Sequence, residues 1–286
     1  MSSLYNSLYG TSLTNLLPIG PSQPTATLMT STTQAEERFE KRLTRIRGIL
    51  PITKGRVVPS EDDLMIGDAR RLHMAVMFLD ICKFSRIEST EDAEQENVLM
   101  VLNLFMAEML SVVKRHEGHF EKNTGDGLMA YFAEAALADC AKRALDAAIT
   151  MHHYNDHVIS PRLEKLGLPR VKFRVAIDTG SVIVANVGIK GGERDHRSLV
   201  AIGTTANIAC KLMALLPDGG IVLGNSARHH LTPDWRAETT PHGTLPGYVS
   251  KGTSTPYPAW LVKYRAPYNP FGSLGALLAL SALGGR

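Results

Sequence analysis

Blocks of apolar residues alternate with polar ones through the centre of the chain. An apolar run at 74–80 ends on a carboxylate, Asp80, and predicts a buried strand. The segment 98–116 places its apolar residues at helical spacing and ends in basic residues, which predicts a long helix. Its buried face should carry Val98, Leu102, Phe105, Met109 and Val112.

A glycine-bounded turn follows the long helix. Residues 119–123 and 127–133 predict a hairpin around Gly125, Asp126 and Gly127. The later elements are predicted as a helix at 137–158, two strands separated by residues 178–180, a helix at 205–215 and a strand at 219–224. This order predicts an α+β palm, a mixed or antiparallel sheet with helices on one face.

Composition divides the chain into four regions. Residues 1–35 lack charge and are rich in Ser, Thr and Pro, so we expect a flexible tail. Residues 36–67 predict a helical lead-in, 68–265 the main domain, and 266–286 an apolar tail whose role the sequence leaves open.

Charge and cysteine content exclude several classes of protein. The net charge of +3 and the lack of a basic run argue against nucleic-acid binding. Three scattered cysteines favour a reducing compartment without disulfides. No apolar stretch is long enough to predict a membrane span, and the N-terminus does not resemble a signal peptide. We therefore expect a cytoplasmic protein.

Asp80 and Asp126 are the first candidates for chemistry. If the hairpin pairs beside the strand that ends at Asp80, the two carboxylates converge and repel each other unless a cation lies between them. Oxygen ligands without Cys or His select Mg²⁺ or Mn²⁺ over Zn²⁺. The alternative is that Asp80 caps a helix and Asp126 only forms a turn.

The loop "DICKFS" after the first strand is a candidate phosphate site. Its backbone N–H groups, around Phe84, and the hydroxyl of Ser85 could contact a triphosphate. No glycine-rich P-loop or dinucleotide fingerprint occurs, so those two folds are not predicted.

Four motifs together are specific. "FLDICKFS", "GHFEKNTGDGLMAYF", "VAIDTGSVIVANVG" and "AIGTTANIACKL" occur in the order and spacing of class III nucleotidyl cyclases. The chain resembles that family over about residues 70–265. The resemblance implies a ferredoxin-like catalytic domain that acts as a head-to-tail homodimer.

The resemblance also implies the reaction and the metal ligands. Asp80, the Ile81 carbonyl and Asp126 would hold two Mg²⁺ or Mn²⁺ ions, and a nucleoside triphosphate would be converted to a 3′,5′-cyclic nucleotide and pyrophosphate. The other chain would complete each site. By position, Lys122 matches the residue that reads the base, Asn207 the one that orients the ribose, and Lys251 the one that binds the triphosphate.

Lys211 departs from the family pattern, because the family places an arginine there to stabilise the transition state. Lysine keeps the charge and loses the planar fork that binds phosphate. Arg194 or Arg197 could compensate. A catalytically inactive, nucleotide-binding homologue is therefore an alternative.

Val200 is the second departure, because adenylate cyclases commonly place Asp or Thr there to accept the adenine amino group. Lys122 donates hydrogen bonds, and Val200 has no side-chain acceptor. This pair disfavours guanine and leaves the amino group of adenine or cytosine unpaired. This count favours UTP, with ATP second. With these altered base-reading positions the chain also resembles the compact pyrimidine cyclases of bacterial antiphage defence, and the resemblance implies cUMP or cCMP as a signal for a separate effector, with cUMP favoured. An adenylate cyclase making cAMP is the alternative.

Overall fold

The computed structural model describes residues 36–37, 39–44, 47–48, 52–55, 58–59, 63–83, 92–134, 136–189, 196–250 and 252–263. The chain divides into two units, Met1–Leu50 and Pro51–Arg286. In the first unit the described residues are helical. The second unit contains the sheet and every site discussed below.

Nine strands and six α-helices make up the described part of the second unit. The strands are β1 (Thr53–Lys54), β2 (Ala69–Ile81), β3 (His119–Asn123), β4 (Gly127–Ala133), β5 (Phe173–Ile189), β6 (His196–Ile202), β7 (Gly220–Gly224), β8 (Thr239–Val249) and β9 (Pro256–Val262). The helices are α1 (Asp92–Arg115), α2 (Leu137–Tyr154), α3 (Ser160–Lys165), α4 (Thr204–Leu212), α5 (Asn225–His230) and α6 (Pro233–Ala237). A π-helical turn joins α2 to α3, and a 3₁₀ turn follows α4.

The strands form one mixed sheet in the order β3-β4-β2-β5-β7-β9-β8. β2 lies between β4 and β5 and pairs antiparallel with both. β5 pairs in parallel with β7 near its start and antiparallel with β6 near its end. The predicted α+β sheet and the β3–β4 hairpin are confirmed.

Apolar residues cover both faces of β2, which explains why its sequence is a continuous apolar run. On one face Ala75, Met77 and Leu79 pack in the main core with α1 and α2. On the other face Leu72, Met74 and Val76 pack with residues of α4 such as Ala206 and Ala209. The prediction of helices on one face only is therefore wrong, because α4 covers the second face.

β5 corrects a second prediction, since residues 173–189 form one continuous strand where two were expected. The polar residues 178–180, predicted to separate two strands, remain paired with β2. Asp178 is 1% exposed and accepts hydrogen bonds from the Tyr257 hydroxyl and the Ala227 N–H. A side chain at Gly180 would clash with Thr205 of α4. Tertiary contacts thus explain both the polar residue and the glycine.

One helix in the described part of the chain, Glu94–Arg115 within α1, is long and apolar enough to cross a membrane by length and composition alone. Helices in the core of a folded domain commonly share these features. Phe105, Met109 and Val112 of this helix are fully buried in the main core. Packing in the main core explains why the face of α1 that carries these three residues is apolar.

Candidate active site

Asp80 and Asp126 lie together at one end of the sheet. Asp80 is the penultimate residue of β2 and pairs with Gly127 at the start of β4. The Ile81 N–H donates to the Asp126 carbonyl at 3.2 Å, which holds the β3–β4 turn against the end of β2. Gly125 forms this turn with φ of +91°, a conformation that favours glycine. The sequence prediction that the two carboxylates converge therefore agrees with the structure.

The two carboxyl groups influence each other. Burial raises the pKa of Asp126 above its usual range, and the negative charge of Asp80 raises it further. Arg174 lowers it in part. A raised carboxyl pKa means that the folded chain disfavours two negative charges here, and a bound cation would relieve that repulsion.

Arg174 of β5 is a site residue that the sequence analysis missed. It lies opposite Asp80 in the sheet, and its Nε and Nη2 donate to Asp80 Oδ2 at 2.9 and 2.6 Å. Its Nη1 donates to the Met213 carbonyl at 3.1 Å. Both side chains of the ion pair are mostly buried, so Arg174 fixes the orientation of the Asp80 carboxylate. The only signal in the sequence was a single arginine within the apolar strand "FRVAI".

The ligands at this end of the sheet suit a hard divalent cation. Asp80 and Asp126 place carboxylate oxygens at this end, and the Ile81 carbonyl stays a predicted ligand. Within the described residues, no group of three or more His, Cys, Asp or Glu side chains could hold a metal ion. Two carboxylates without nitrogen or sulfur ligands fit Mg²⁺ or Mn²⁺, which commonly complete their shells with substrate phosphates and water.

Three predicted substrate residues, Phe84, Ser85 and Lys251, lie outside the described residues. Lys83 is the last described residue of the turn that follows β2, and it has a positive φ of 64°. The exposed side chain of Lys83 forms an ion pair with Asp218 at 3.2 Å.

Asn207 and Lys211 are exposed on α4, one turn apart on the same face. Lys211 Nζ lies 6.0 Å from the centre of the Tyr248 ring. Of the two arginines considered as substitutes, Arg197 lies in β6 and Arg194 lies outside the described residues. The catalytic roles of Asn207 and Lys211 stay predictions.

Lys122 and Val200 line one cavity of about 340 Å³ between β3, β4 and β6. Lys122 is half exposed, whereas Val200 is partly buried on β6. Phe120, Ser198 and Leu199 line other parts of the wall. Neither Asp80 nor Asp126 lines this cavity. The structure thus brings together the two residues on which the sequence-based choice of base depended.

Glu121 also lines this cavity, and it was not among the site residues predicted from the sequence. The pairing of β3 with β4 shifts between Phe120 and Lys122, so Glu121 is an extra residue in a β-bulge. Consecutive strand residues normally point to opposite faces, and the bulge lets Glu121 and Lys122 line the same cavity. Nothing in the residue pattern of "GHFEKN" indicates a bulge.

Glu121 is buried without standard hydrogen-bond partners. Its side chain is 1% exposed, and neither carboxylate oxygen has a hydrogen bond of normal geometry to the described residues. Lys122 Nζ lies 3.3 Å from Oε1. Burial raises the pKa of Glu121, while Lys122 and the backbone of Ala201 lower it in part. The hydroxyl of Tyr131, in the same cavity wall, is also buried without a described partner.

The mixed sheet with paired aspartates at one end agrees with the palm-shaped catalytic domain that the sequence motifs predicted. The sequence model of the adenylate and guanylate cyclase catalytic domain matches residues 69–257. The chain therefore belongs to this family.

Known proteins support the assignment at two levels. In sequence, the chain is 28% identical over 163 residues to an adenylate cyclase from Anabaena cylindrica, covering 56% of this chain and 30% of the relative. The chain thus spans less than a third of the length of the curated relatives it matches.

In structure, it is similar to the adenylyl cyclase CyaB from P. aeruginosa, with a TM-score of 0.56, 22% identity, and coverage of 71% of this chain and 100% of the chain in the CyaB crystal structure. The guanylyl cyclase Cya2 gives a TM-score of 0.56 at 23% identity, covering 72% and 98%. At this identity the solved structures support the fold alone.

Proposed function

We propose that the protein converts a nucleoside triphosphate into a 3′,5′-cyclic nucleotide and pyrophosphate. The observation that carries the proposal is the convergence of Asp80 and Asp126 at the end of β2, with Arg174 orienting one of them. In this reaction the ribose 3′-oxygen attacks the α-phosphorus, and the bond to pyrophosphate breaks in line.

The residues of this chain have separate tasks in the proposed reaction. Asp80, Asp126 and the Ile81 carbonyl would hold two Mg²⁺ or Mn²⁺ ions, which when bound supply charge neutralisation for the triphosphate and activation of the 3′-hydroxyl. Asn207 orients the ribose, and Lys211 places a positive charge near the reacting phosphate.

We propose a head-to-tail homodimer, because the cavity that contains Lys122 and Val200 is not lined by the two aspartates. Mixing two inactive variants tests this arrangement. Asp80→Asn and Asn207→Ala damage different halves of a shared site, so each mixed dimer would keep one intact site. An equal mixture should recover about a quarter of the parent activity if dimers form at random. A mixture as inactive as its components would contradict a shared site.

ATP is the substrate we propose. The Anabaena relative is described as an adenylate cyclase, and the cavity contains a buried acceptor, Glu121, that an amino-bearing base could use. UTP is the second candidate, and with it the predicted role in antiphage signalling through a separate effector. The absence of an acceptor at Val200 favours UTP when only Lys122 and Val200 are counted.

The first experiment offers ATP, GTP, CTP and UTP separately to the purified protein with Mn²⁺ and identifies products by mass spectrometry. Asp80→Asn should lower product formation by about 10²-fold or more, because several kcal/mol of charge stabilisation are lost. Asp139→Asn, an exposed change in α2 with the same effect on net charge, should retain activity. Failure of the parent protein to cyclise any of the four would favour the inactive, nucleotide-binding alternative.

A further inference from the structure

Glu121 is a buried carboxyl group in the described structure, and both of its oxygens lack a hydrogen bond of normal geometry. An ionised carboxylate buried without full hydrogen bonding costs free energy, and such groups are usually paired. The nearest cation, Lys122, is half exposed and leaves both oxygens without a hydrogen bond of normal geometry. The bulge in β3 that contains Glu121 also interrupts the regular pairing with β4.

The cavity has the size and chemistry of a site for a flat heterocycle. Its volume of about 340 Å³ is within the range of small-ligand pockets. Phe120 and Val200 provide apolar walls and Lys122 provides an ammonium group, while Glu121 lies in the wall with both carboxylate oxygens buried. An acceptor, Glu121, thus lies next to a donor, Lys122, separated by 3.3 Å.

We propose that Glu121 determines base selectivity by accepting a hydrogen bond from the exocyclic amino group of the substrate base. This inference rests on the proposed cyclase function. In adenine the amino group is adjacent to the N1 acceptor, so Glu121 and Lys122 can bind the two positions together. Cytosine presents the same pair through its 4-amino group and N3. Uracil has a carbonyl at that position, and its oxygen would face the carboxylate.

A hydrogen bond to Glu121 reverses the order of preferred substrates that was predicted from Lys122 and Val200 alone. Those two residues left the amino group of adenine without an acceptor. Glu121 supplies one from β3 rather than from the Val200 position on β6. ATP and CTP therefore become better substrates than UTP.

The test compares kcat/KM for ATP, CTP and UTP in the parent protein and in Glu121→Gln and Glu121→Leu. CTP and UTP are a matched pair, because they differ only at C4 and in the proton on N3. The parent should prefer ATP and CTP over UTP. Loss of a charged acceptor should lower both the ATP/UTP and the CTP/UTP ratio by about 10- to 100-fold in Glu121→Leu. Glu121→Gln, whose amide can also donate, should lower both ratios and raise activity on UTP.

Two controls distinguish the role of Glu121 from a structural one. Glu164→Gln removes an exposed carboxylate on α3 that pairs with Arg170, and its substrate ratios should equal those of the parent. Thermal unfolding of nucleotide-free protein provides a second readout. Relief of a buried carboxylate should leave Glu121→Gln as stable as the parent or more stable, whereas a purely structural ion pair with Lys122 would make it less stable.

The outcomes separate this inference from the proposed function. UTP as the preferred substrate, or ratios that stay within twofold in both Glu121 variants, would overturn the role of Glu121 while leaving the cyclase assignment intact. If the parent forms no cyclic product, the proposed function fails. The dissociation constants of 3′-deoxy-ATP and 3′-deoxy-UTP, compared between the parent and Glu121→Leu, then test the inference without turnover: an unchanged ratio rejects it and a fallen ratio supports it.

Discussion

Asp178 should make the stability of the domain depend on pH in the neutral range. Burial raises the pKa of this carboxyl to about 7, although hydrogen bonds from Tyr257, the Thr179 backbone and the Ala227 backbone lower it in part. In the unfolded chain an aspartate releases its proton near pH 4. Between about pH 4 and pH 7 the folded chain therefore holds one more proton than the unfolded chain. The free energy of unfolding should fall as pH rises through this window and stay low above it.

The magnitude follows from the width of the window. A difference of about three pH units at 1.36 kcal/mol each corresponds to about 4 kcal/mol. Small domains are stable by only about 5–15 kcal/mol, so the effect should be large enough to measure.

Asp178→Asn removes the titration with little change in shape. The Ala227 N–H lies 3.2 Å and the Tyr257 hydroxyl 2.9 Å from Oδ1, so an amide oxygen there can still accept both bonds. The amide nitrogen would replace Oδ2, which lies 3.0 Å from the Tyr257 oxygen. The hydroxyl oxygen can accept from it.

Urea unfolding at pH 5, 6, 7 and 8 measures the effect. The parent protein should lose stability across the series, and Asp178→Asn should not show this loss, so the variant should be the more stable protein at pH 8 by up to about 4 kcal/mol. Asp139→Asn on the surface of α2 should follow the parent curve. Parallel curves for the parent and Asp178→Asn would refute the reasoning, because they would mean that Asp178 does not titrate in this range.

Three further predictions concern Lys211, Arg174 and Asp126. Lys211→Arg should raise kcat by about 10-fold or more in a steady-state assay, since a planar fork binds phosphate better than an ammonium group; an unchanged kcat would indicate that another residue has this role. Arg174→Met should destabilise the metal-free protein by about 1–3 kcal/mol in urea unfolding, because Asp80 loses its charged partner. Mn²⁺ should stabilise this variant more than the parent, and equal stabilisation would contradict a cation site at Asp80. Mn²⁺ affinity, followed by titration calorimetry, should fall as pH falls through the raised pKa of Asp126, because the bound form requires the carboxylate. Affinity independent of pH between 4 and 7 would be the contrary result.

The sequence predicted those elements whose local residue pattern matches their burial and strand pairing in the fold. β2 and the β3–β4 hairpin follow from apolar runs bounded by glycine, and the convergence of Asp80 with Asp126 follows from placing these strands side by side. The interruption predicted in β5 was wrong because Asp178 is buried by contacts with residues far along the chain, including Tyr257. No local pattern carries that information.

The two missed residues of the candidate site have the same explanation. Arg174 acquires its role from its position opposite Asp80 in a neighbouring strand 94 residues away in sequence. Glu121 acquires its position from a bulge, which depends on the pairing of two strands rather than on the composition of either. Counting base contacts from Lys122 and Val200 alone therefore omitted the proposed acceptor, Glu121, in the same cavity wall.

The bulge in β3 has a consequence for how the substrate preference of such a domain could change. If the pairing register of His119 and Phe120 continued without a bulge, Glu121 would lie opposite Met129 and Lys122 opposite Leu128, so these two neighbours would point to opposite faces of the sheet. Deleting Glu121 would likewise restore regular pairing, with Lys122 still opposite Met129, and would remove the carboxylate while every remaining amino acid stayed the same. An alignment would show such a change as a gap rather than as a substitution, since here the length of a strand decides which groups line the cavity.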